Sequence, residues 1–258
     1  MKNFDEFLGQ FKFDPEKNLM IGVERECHLV NSDGRIAPIA QKVLSHLGFD
    51  SIGSNDGHFG YELSACQIEW RAGPCRLIGL TDNLNRDENI LKQAEEKLGF
   101  TRSFNEVAPK DMPLDVYPDS TGRYQEITKN MPEEVLLAAC QVIATHIHIG
   151  MPDHRTALQT YNSTIEHFDE LCQIGDHSKG KRLGIYRIMA PNYLPPSYEN
   201  WRDFYNKAVQ EDFTENPRNC WTLIRISVHG TIEFRMFGAT EDLNEILYWA
   251  RLCRKICQ

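Results

Sequence analysis

Apolar and polar residues alternate with a period of two in several short segments, which predicts β-strands with one buried and one polar face. Leucines recur at helical spacing after Pro74, and Gly99 supplies the end of that helix. Strands and helices interspersed in this way predict an α+β fold, a mainly antiparallel sheet with helices packed on one face. The predicted strands are residues 19–30, 61–71 and 141–150, and a hairpin of residues 221–227 and 231–237 turns at His229-Gly230.

One connecting region and one helix start add to this outline. Residues 108–122 are rich in Pro, Asp and Gly and predict a long loop, either a lid over a site or a passive connector. Ser197 is the predicted cap of a helix that runs to about Phe213. No repeat, low-complexity tract or linker interrupts the chain of 258 residues, so we expect a single domain over residues 1–258.

Composition narrows the classes of function. A net charge of -9 argues against a general nucleic-acid binder, whose affinity comes from Lys and Arg. No apolar stretch approaches membrane-spanning length, and the N-terminus is too acidic for a signal peptide. The eight cysteines form no CxxC pair, which is typical of reduced thiols in the cytosol. We therefore predict a cytoplasmic protein with neither a nucleic-acid nor a membrane partner.

Carboxylates share one face of each of the first two predicted strands. Glu24 and Glu26 are two residues apart, so both project from the same side. On the second strand Glu69 shares a face with Gln67, whereas Glu62 precedes Ser64-Ala65, where a bulge would leave its direction open. Neighbouring carboxylates repel unless a cation or proton lies between them. The alternative is an acidic face of the sheet exposed to solvent.

The two later strands also carry polar residues on one face, histidines on the first and a glutamate with an arginine on the second. His146 and His148 lie on one face of an otherwise apolar strand, which makes them better candidates for metal ligands than a single strand histidine, with structural histidines as the alternative. Glu233 and Arg235 project together from the last strand, where a simple ion pair is the alternative. Four strands presenting acids, histidine and arginine from one face predict a site for Mg²⁺, with Mn²⁺ as an alternative.

These strands, in this order, resemble the glutamate–cysteine ligase family 2 of carboxylate–amine ligases. The matching motifs are GVERE at residues 22–26, Glu62 followed by QIE at 67–69, HIHIG at 146–150 and TIEFR at 231–235. The resemblance implies a glutamine synthetase-like fold, in which a curved antiparallel sheet forms an active-site funnel and helices pack on its outer face. It makes residues 1–258 one catalytic domain.

The resemblance also implies an activity. A ligase of this kind uses ATP and Mg²⁺ to join a small carboxylate, such as the γ-carboxylate of glutamate, to an amine through an acyl phosphate. Its partners would be ATP and the two small-molecule substrates, and a homo-oligomer is compatible with it. The implied metal ligands are Glu24, Glu26, Glu62, Glu69, His146 and Glu233. Arg235 and Glu69 would be catalytic.

Further basic residues are candidates for contacts to substrates or nucleotide. Lys181 and Arg182 belong to the basic, glycine-containing segment KGKRLG at 179–184, which is either a phosphate contact or an exposed loop. The other candidates are Arg123, His148, Arg187 and Arg225.

Two departures from the family pattern and three alternative functions stay open. The chain is shorter than the usual family member, and Arg25 stands where a third acid is common. The alternatives are a phosphotransferase resembling the guanidino kinases, a metal-dependent hydrolase that uses His146 and His148, and a degenerate ligase that only binds ligands.

Overall fold

A computed structural model of the chain describes residues 1–48 and 58–258. Within them, seven strands form one curved, unclosed antiparallel sheet in the order β2-β3-β1-β5-β7-β6, with β4 beside β1. The predicted α+β class is therefore confirmed. The strands are β1 (Ile21–Val30), β2 (Phe59–Tyr61), β3 (Gln67–Cys75), β4 (Thr101–Ser103), β5 (Ala144–Gly150), β6 (Ile224–Ser227) and β7 (Thr231–Gly238).

The α-helices of the described residues connect these strands. None of them has both the length and the apolar character needed to cross a membrane. They are α1 (Phe4–Leu8), α2 (Ala40–His46), α3 (Leu77–Leu98), α4 (Arg123–Thr128), α5 (Glu133–Gln141), α6 (His154–Thr164), α7 (Phe168–Ile174), α8 (Lys181–Met189), α9 (Trp201–Gln210) and α10 (Leu243–Ile256).

Helices cover the apolar face of the sheet. Helix α3 packs on β3, α10 on β5 and β1, and α7 on β7. The alternation along each strand supplies that face: Ile68 and Trp70 of β3 and Phe234 of β7 are fully buried. Because successive side chains of a strand point to opposite faces, the polar residues between them project from the other side of the sheet.

The prediction of one strand over residues 61–71 is wrong in its first part, because β2 and β3 pair antiparallel and the chain turns back between them. The segment from Leu63 to Ala65 hydrogen-bonds to the long loop instead, with Ala65 N donating to Asp115 O at 2.8 Å and Tyr117 N donating to Leu63 O at 2.9 Å. Ser64 forms a β-bridge with Val116. Residues 108–122 thus hold the stretch of chain that carries Glu62.

The predicted cap at Ser197 is wrong, because helix α9 begins three residues later. The side chain of Asn200 caps it and accepts from Asp203 N at 3.0 Å. Asn162 binds both backbone groups of Tyr198, at 3.0 and 2.7 Å, and so holds the preceding segment outside the helix. Asn is also among the residues preferred at the N-cap.

A buried charge network lies under the central strand. Arg25 projects from β1 toward the helices, is 1% exposed, and forms an ion pair with Glu88 of α3. Its guanidinium lies 4.8 Å from the centre of the Trp70 ring. Glu88 also pairs with Arg102 of β4 at 3.0 Å. The Glu88 carboxylate therefore forms ion pairs with two buried guanidinium groups.

Replacing Glu88 with Ala should strongly destabilise the fold, because it leaves Arg25 and Arg102 buried without this partner. We expect the free energy of unfolding to fall by about 3–5 kcal/mol, measured by urea denaturation. The control is Lys207→Ala, which breaks a 2.7 Å pair with Glu211 on the half-exposed surface of α9 and should cost about 0–1 kcal/mol. Equal losses in the two variants would contradict this account.

Candidate active site

The four strands with polar motifs lie side by side and turn those motifs to the same face. In the register of β1, Glu24 is opposite His146 of β5 and Arg71 of β3, and Glu26 is opposite Glu69. His148 of β5 is opposite Glu233 of β7. Antiparallel pairing places opposite side chains about 5 Å apart, so the predicted site residues converge.

These side chains line a cavity of about 570 Å³. They form two groups, Glu24 with His146 and Glu233, and Glu26 with Glu62 and Glu69, and in each group the potential ligand atoms lie within 4.8 Å of one another. We call these the first and the second triad. All six predicted metal ligands are therefore brought together in space, although their role as ligands stays a prediction.

His146 lies between the triads. Its Nδ1 is 3.2 Å from Glu24 Oε2, and its Nε2 is 3.7 Å from Glu26 Oε1. Burial and the nearby charge of Arg235 lower the pKa of His146 to about 4, so the imidazole is neutral at pH 7. A neutral imidazole is the form that binds metal ions.

The negative charges of the second triad are not fully neutralised by nearby positive groups. Burial and the charge of Glu62 raise the pKa of Glu26 to about 8. Burial and the charge of Glu24 raise the pKa of Glu62 to about 7. Each ionised form is penalised by desolvation and by a like charge, which a divalent cation would offset.

The donor set fits Mg²⁺ or Mn²⁺. The two triads offer five carboxylates and one imidazole. Carboxylate oxygens are the ligands these ions prefer, and one imidazole is compatible with Mn²⁺ in particular. Neither triad contains a cysteine, which argues against a structural zinc site.

The first triad is balanced by arginines. Arg225 binds Glu233 with two nitrogens, at 2.7 and 2.9 Å, and Arg235 forms a further ion pair with the same carboxylate. Burial alone would raise the pKa of Glu233, but the two guanidinium groups hold it well below its usual value. Glu233 therefore stays ionised and fixes Arg235 within the cavity.

Arg71 is a site residue that the sequence prediction missed. It lines the cavity, its Nε lies 3.4 Å from Glu24 Oε1, and another of its nitrogens contacts Glu69. The signal was present, because Arg71 follows Glu69 by two residues and so shares its face. Gln67 shares that face too, but its amide instead donates to the carbonyls of Cys140 and Val142, at 2.8 and 3.2 Å.

Of the other basic candidates, Arg123, His148 and Arg225 line the cavity. His148 Nδ1 is 2.9 Å from the Thr231 hydroxyl, and its Nε2 is 3.5 Å from Glu24 Oε2. Burial opposes protonation of His148, but the charges of Glu24 and Glu233 raise its pKa. These two carboxylates therefore favour the protonated form of the imidazole.

Three candidates lie elsewhere, and the predicted phosphate contact of the 179–184 segment is wrong for Arg182. Arg182 is 1% exposed, donates to Met236 O and faces Glu106 behind the sheet. The Asp176 carboxylate accepts hydrogen bonds from the backbone N–H groups of Ser178 and Gly180. Helix α8 begins directly after this turn, and Arg182 in its first turn points into the protein interior. Lys181 and Arg187 are exposed outside the cavity, and Arg187 lies 4.7 Å from the Tyr193 ring centre.

Two glycines let the N-terminal segment close one end of the cavity. A Cβ at Gly150 would lie 2.1 Å from Lys17 O, and one at Gly230 would lie 2.2 Å from Lys12 O. Only glycine tolerates such close backbone contact. Lys12 and Lys17 line the cavity as a result. These contacts join residues far apart in the sequence, so no local sequence pattern predicts that Lys12 and Lys17 line the cavity.

Comparisons with known proteins give the family. The model of "Glutamate-cysteine ligase family 2 (GCS2)" matches residues 20–171. Two bacterial relatives, both named "Putative glutamate--cysteine ligase 2", come from Solibacter usitatus (23% identity over 93% of this chain) and Thermobifida fusca (24% over 96%). This chain spans 65% of the length of each.

A solved structure supports the fold. A bifunctional glutathione synthetase from Pasteurella multocida superposes with a TM-score of 0.59 at 10% identity, over 98% of this chain and 40% of that one. At this identity the likeness concerns the arrangement of the backbone alone. The family model covers more than half of the chain and includes the motif strands β1, β3 and β5 with five of the six triad residues. The chain belongs to glutamate–cysteine ligase family 2.

Proposed function

We propose that residues 1–258 form one catalytic domain of an ATP- and Mg²⁺-dependent ligase, which joins a small carboxylate to an amine. The observation that carries the proposal is the pair of triads in one cavity. A single sheet joins strands from Ile21 to Gly238, which supports one catalytic unit. The names of the relatives support glutamate as the carboxylate and cysteine as one amine to test.

The chemistry requires activation of the carboxylate. At neutral pH it is ionised and a poor electrophile, so transfer of the γ-phosphoryl group of ATP gives an acyl phosphate that an amine attacks. Phosphoryl transfer depends on positioning and on neutralising charge. When bound, Mg²⁺ would supply that neutralisation and hold the phosphate oxygens.

The residues of the chain have distinct roles in this proposal. The first triad (Glu24, His146, Glu233) and the second (Glu26, Glu62, Glu69) would each hold a cation, and Glu69 keeps Arg71 in place beside them. Arg235 would stabilise negative charge on the transferred group. Its ion pair with Glu233 supports this role, because the guanidinium is oriented before substrates bind. Arg225 and His148 line the cavity beside Glu233.

Addition of Mg²⁺ should stabilise the native protein, because the cation binds the folded triads and relieves their repulsion. At a Mg²⁺ concentration a hundredfold above Kd, binding contributes about 2.7 kcal/mol, and Tm rises. Glu26→Gln removes one ligand of the second triad and should lose the part of this rise that the second cation contributes. Glu134→Gln, on the exposed surface of α5, is the matched control and should keep it. A rise of the same size in Glu26→Gln would contradict the second triad as a cation site.

The ligase reaction is tested by following ADP and phosphate release with Mg²⁺-ATP, glutamate and a panel of amines. We expect release that depends on the amine, and a hydroxamate when hydroxylamine is the amine. Arg235→Ala should lower kcat about 10²–10³-fold, as expected for loss of a group that stabilises the transition state. Arg155→Ala, an exposed arginine outside the cavity, should retain activity.

The same assay distinguishes the alternatives. A phosphorylated guanidino product without hydroxamate would indicate a phosphotransferase. Hydrolysis in the absence of ATP would indicate a metal-dependent hydrolase. Binding of Mg²⁺-ATP with no turnover of any amine would indicate a binding module. Full activity of both Arg235→Ala and Glu26→Gln would remove the proposed site.

A further inference from the structure

Arg71 of β3 contacts both triads. Its Nε lies 3.4 Å from Glu24 Oε1, in the first triad, and another of its nitrogens contacts the Glu69 carboxylate, in the second. Glu24 is its partner across the β1–β3 pairing, whereas Glu69 precedes it by two residues on the same face of β3. One guanidinium therefore shares its positive charge between a carboxylate of each triad.

The ion pair of Arg71 and Glu69 lies against Gly60 of the neighbouring strand β2. A Cβ at Gly60 would lie 3.2 Å from Arg71 Nη1 and 3.2 Å from Glu69 Oε1. Arg71 N also donates to His58 O at 2.7 Å, which holds the backbone at the base of the side chain. A side chain at position 60 would press on both members of the pair, so glycine leaves the space that the pair occupies.

Arg71 differs from the two other arginines that pair with triad carboxylates. Arg225 and Arg235 both bind Glu233, and their side chains are 13% and 11% exposed. The Arg71 side chain is 31% exposed. A partly exposed guanidinium gives up an ion pair to water at little cost, whereas a buried one does so only with a large penalty. Of these three arginines, Arg71 is the one whose charge another cation can replace.

A divalent cation and Arg71 would share the same negative charge. Glu69 is a member of the second triad and forms the ion pair with Arg71. Burial and the charge of Glu24 raise the pKa of Glu62, another member, and the charge of Arg71 opposes that rise. Two positive groups near one carboxylate repel each other, so the guanidinium weakens the binding of an ion there, and a bound ion weakens the ion pair by the same free energy.

We propose that Arg71 is an internal competitor of the divalent ion at the second triad: it takes the place of a cation in the ion-free protein and lowers the affinity of the triad for the ion. The inference rests on the proposed function and adds a form of regulation to it. The cation affinity of the site is set by a residue that is not itself a ligand.

The test is Mn²⁺ binding to the folded protein without ATP or substrates, followed by the electron paramagnetic resonance signal of the free ion. The ion whose binding Glu26→Gln abolishes marks the second triad. In Arg71→Met, which removes the charge, we expect the Kd of that ion to fall about ten- to a hundredfold, because a repelling charge is gone. A residue that only held the ligands in place would have the opposite effect, since its loss would weaken binding.

Two further substitutions of Arg71 separate its charge from its shape. Arg71→Gln can donate a hydrogen bond but carries no charge, so it should tighten binding as Arg71→Met does. Arg71→Lys keeps the charge and should keep the Kd near the wild-type value. The matched control Arg155→Met removes a charge from the exposed surface outside the cavity and should leave the Kd unchanged.

Thermal unfolding gives an independent measure of the same competition. Without the ion, Arg71→Met should have a lower Tm than the wild type, because its triads have lost a counter-charge. At one fixed concentration of Mn²⁺, its rise in Tm should be larger than that of the wild type, because the ion binds more tightly.

The outcomes distinguish this inference from the proposed function. Unchanged or weaker binding in either Arg71→Met or Arg71→Gln, with the wild type still binding Mn²⁺, would overturn the role of Arg71 and leave the proposed function standing. Equal tightening in Arg71→Lys would also overturn it, because the charge would then not matter. Absence of Mn²⁺ binding in the wild type and in every variant would overturn both. Tighter binding in the two uncharged variants alone would establish the competition.

Discussion

Mutual repulsion of buried carboxylates is the constraint on which this site depends. Five glutamates from β1, β3, β7 and the segment between β2 and β3 converge in one cavity, and three arginines pair with only some of them. Within the first triad, Glu233 is held ionised by its arginines. Within the second, Glu26 and Glu62 favour protons in the absence of another cation. The sheet thus concentrates negative charge where a divalent ion would be most stabilising.

The rest of the architecture serves to hold this arrangement. The apolar faces of the strands bury themselves against α3, α7 and α10, which fixes the sheet. The long loop bonds to the segment before β3 and positions Glu62, which no regular strand carries. The N-terminal segment closes one end of the cavity through its contacts with Gly150 and Gly230. Each wall of the cavity comes from a different part of the sequence.

Period-two alternation was sufficient to predict β1, β5 and β7 and the common face of Glu24, Glu26, His146 and Glu233, because that face is a local property of each strand. The resemblance to the family added Glu62, whose position depends on the turn between β2 and β3 and on the long loop. Sequence reasoning failed where contacts are non-local. Arg182 turns inward after the turn that Asp176 closes, and Lys12 and Lys17 line the cavity through backbone contacts with Gly230 and Gly150. Neither contact has a periodic signature.

The alternation of charge along β1 has a consequence for folding. Glu24 and Glu26 face the cavity, whereas Arg25 between them faces Trp70 and Glu88. If β1 paired with its neighbours one residue out of step, both acids would enter the apolar layer and the guanidinium would leave its carboxylate. Such a misaligned sheet would bury two carboxylates without partners, and Arg25 would face the cavity instead of Glu88. The residues that build the candidate site therefore also select the correct alignment of the central strand during assembly.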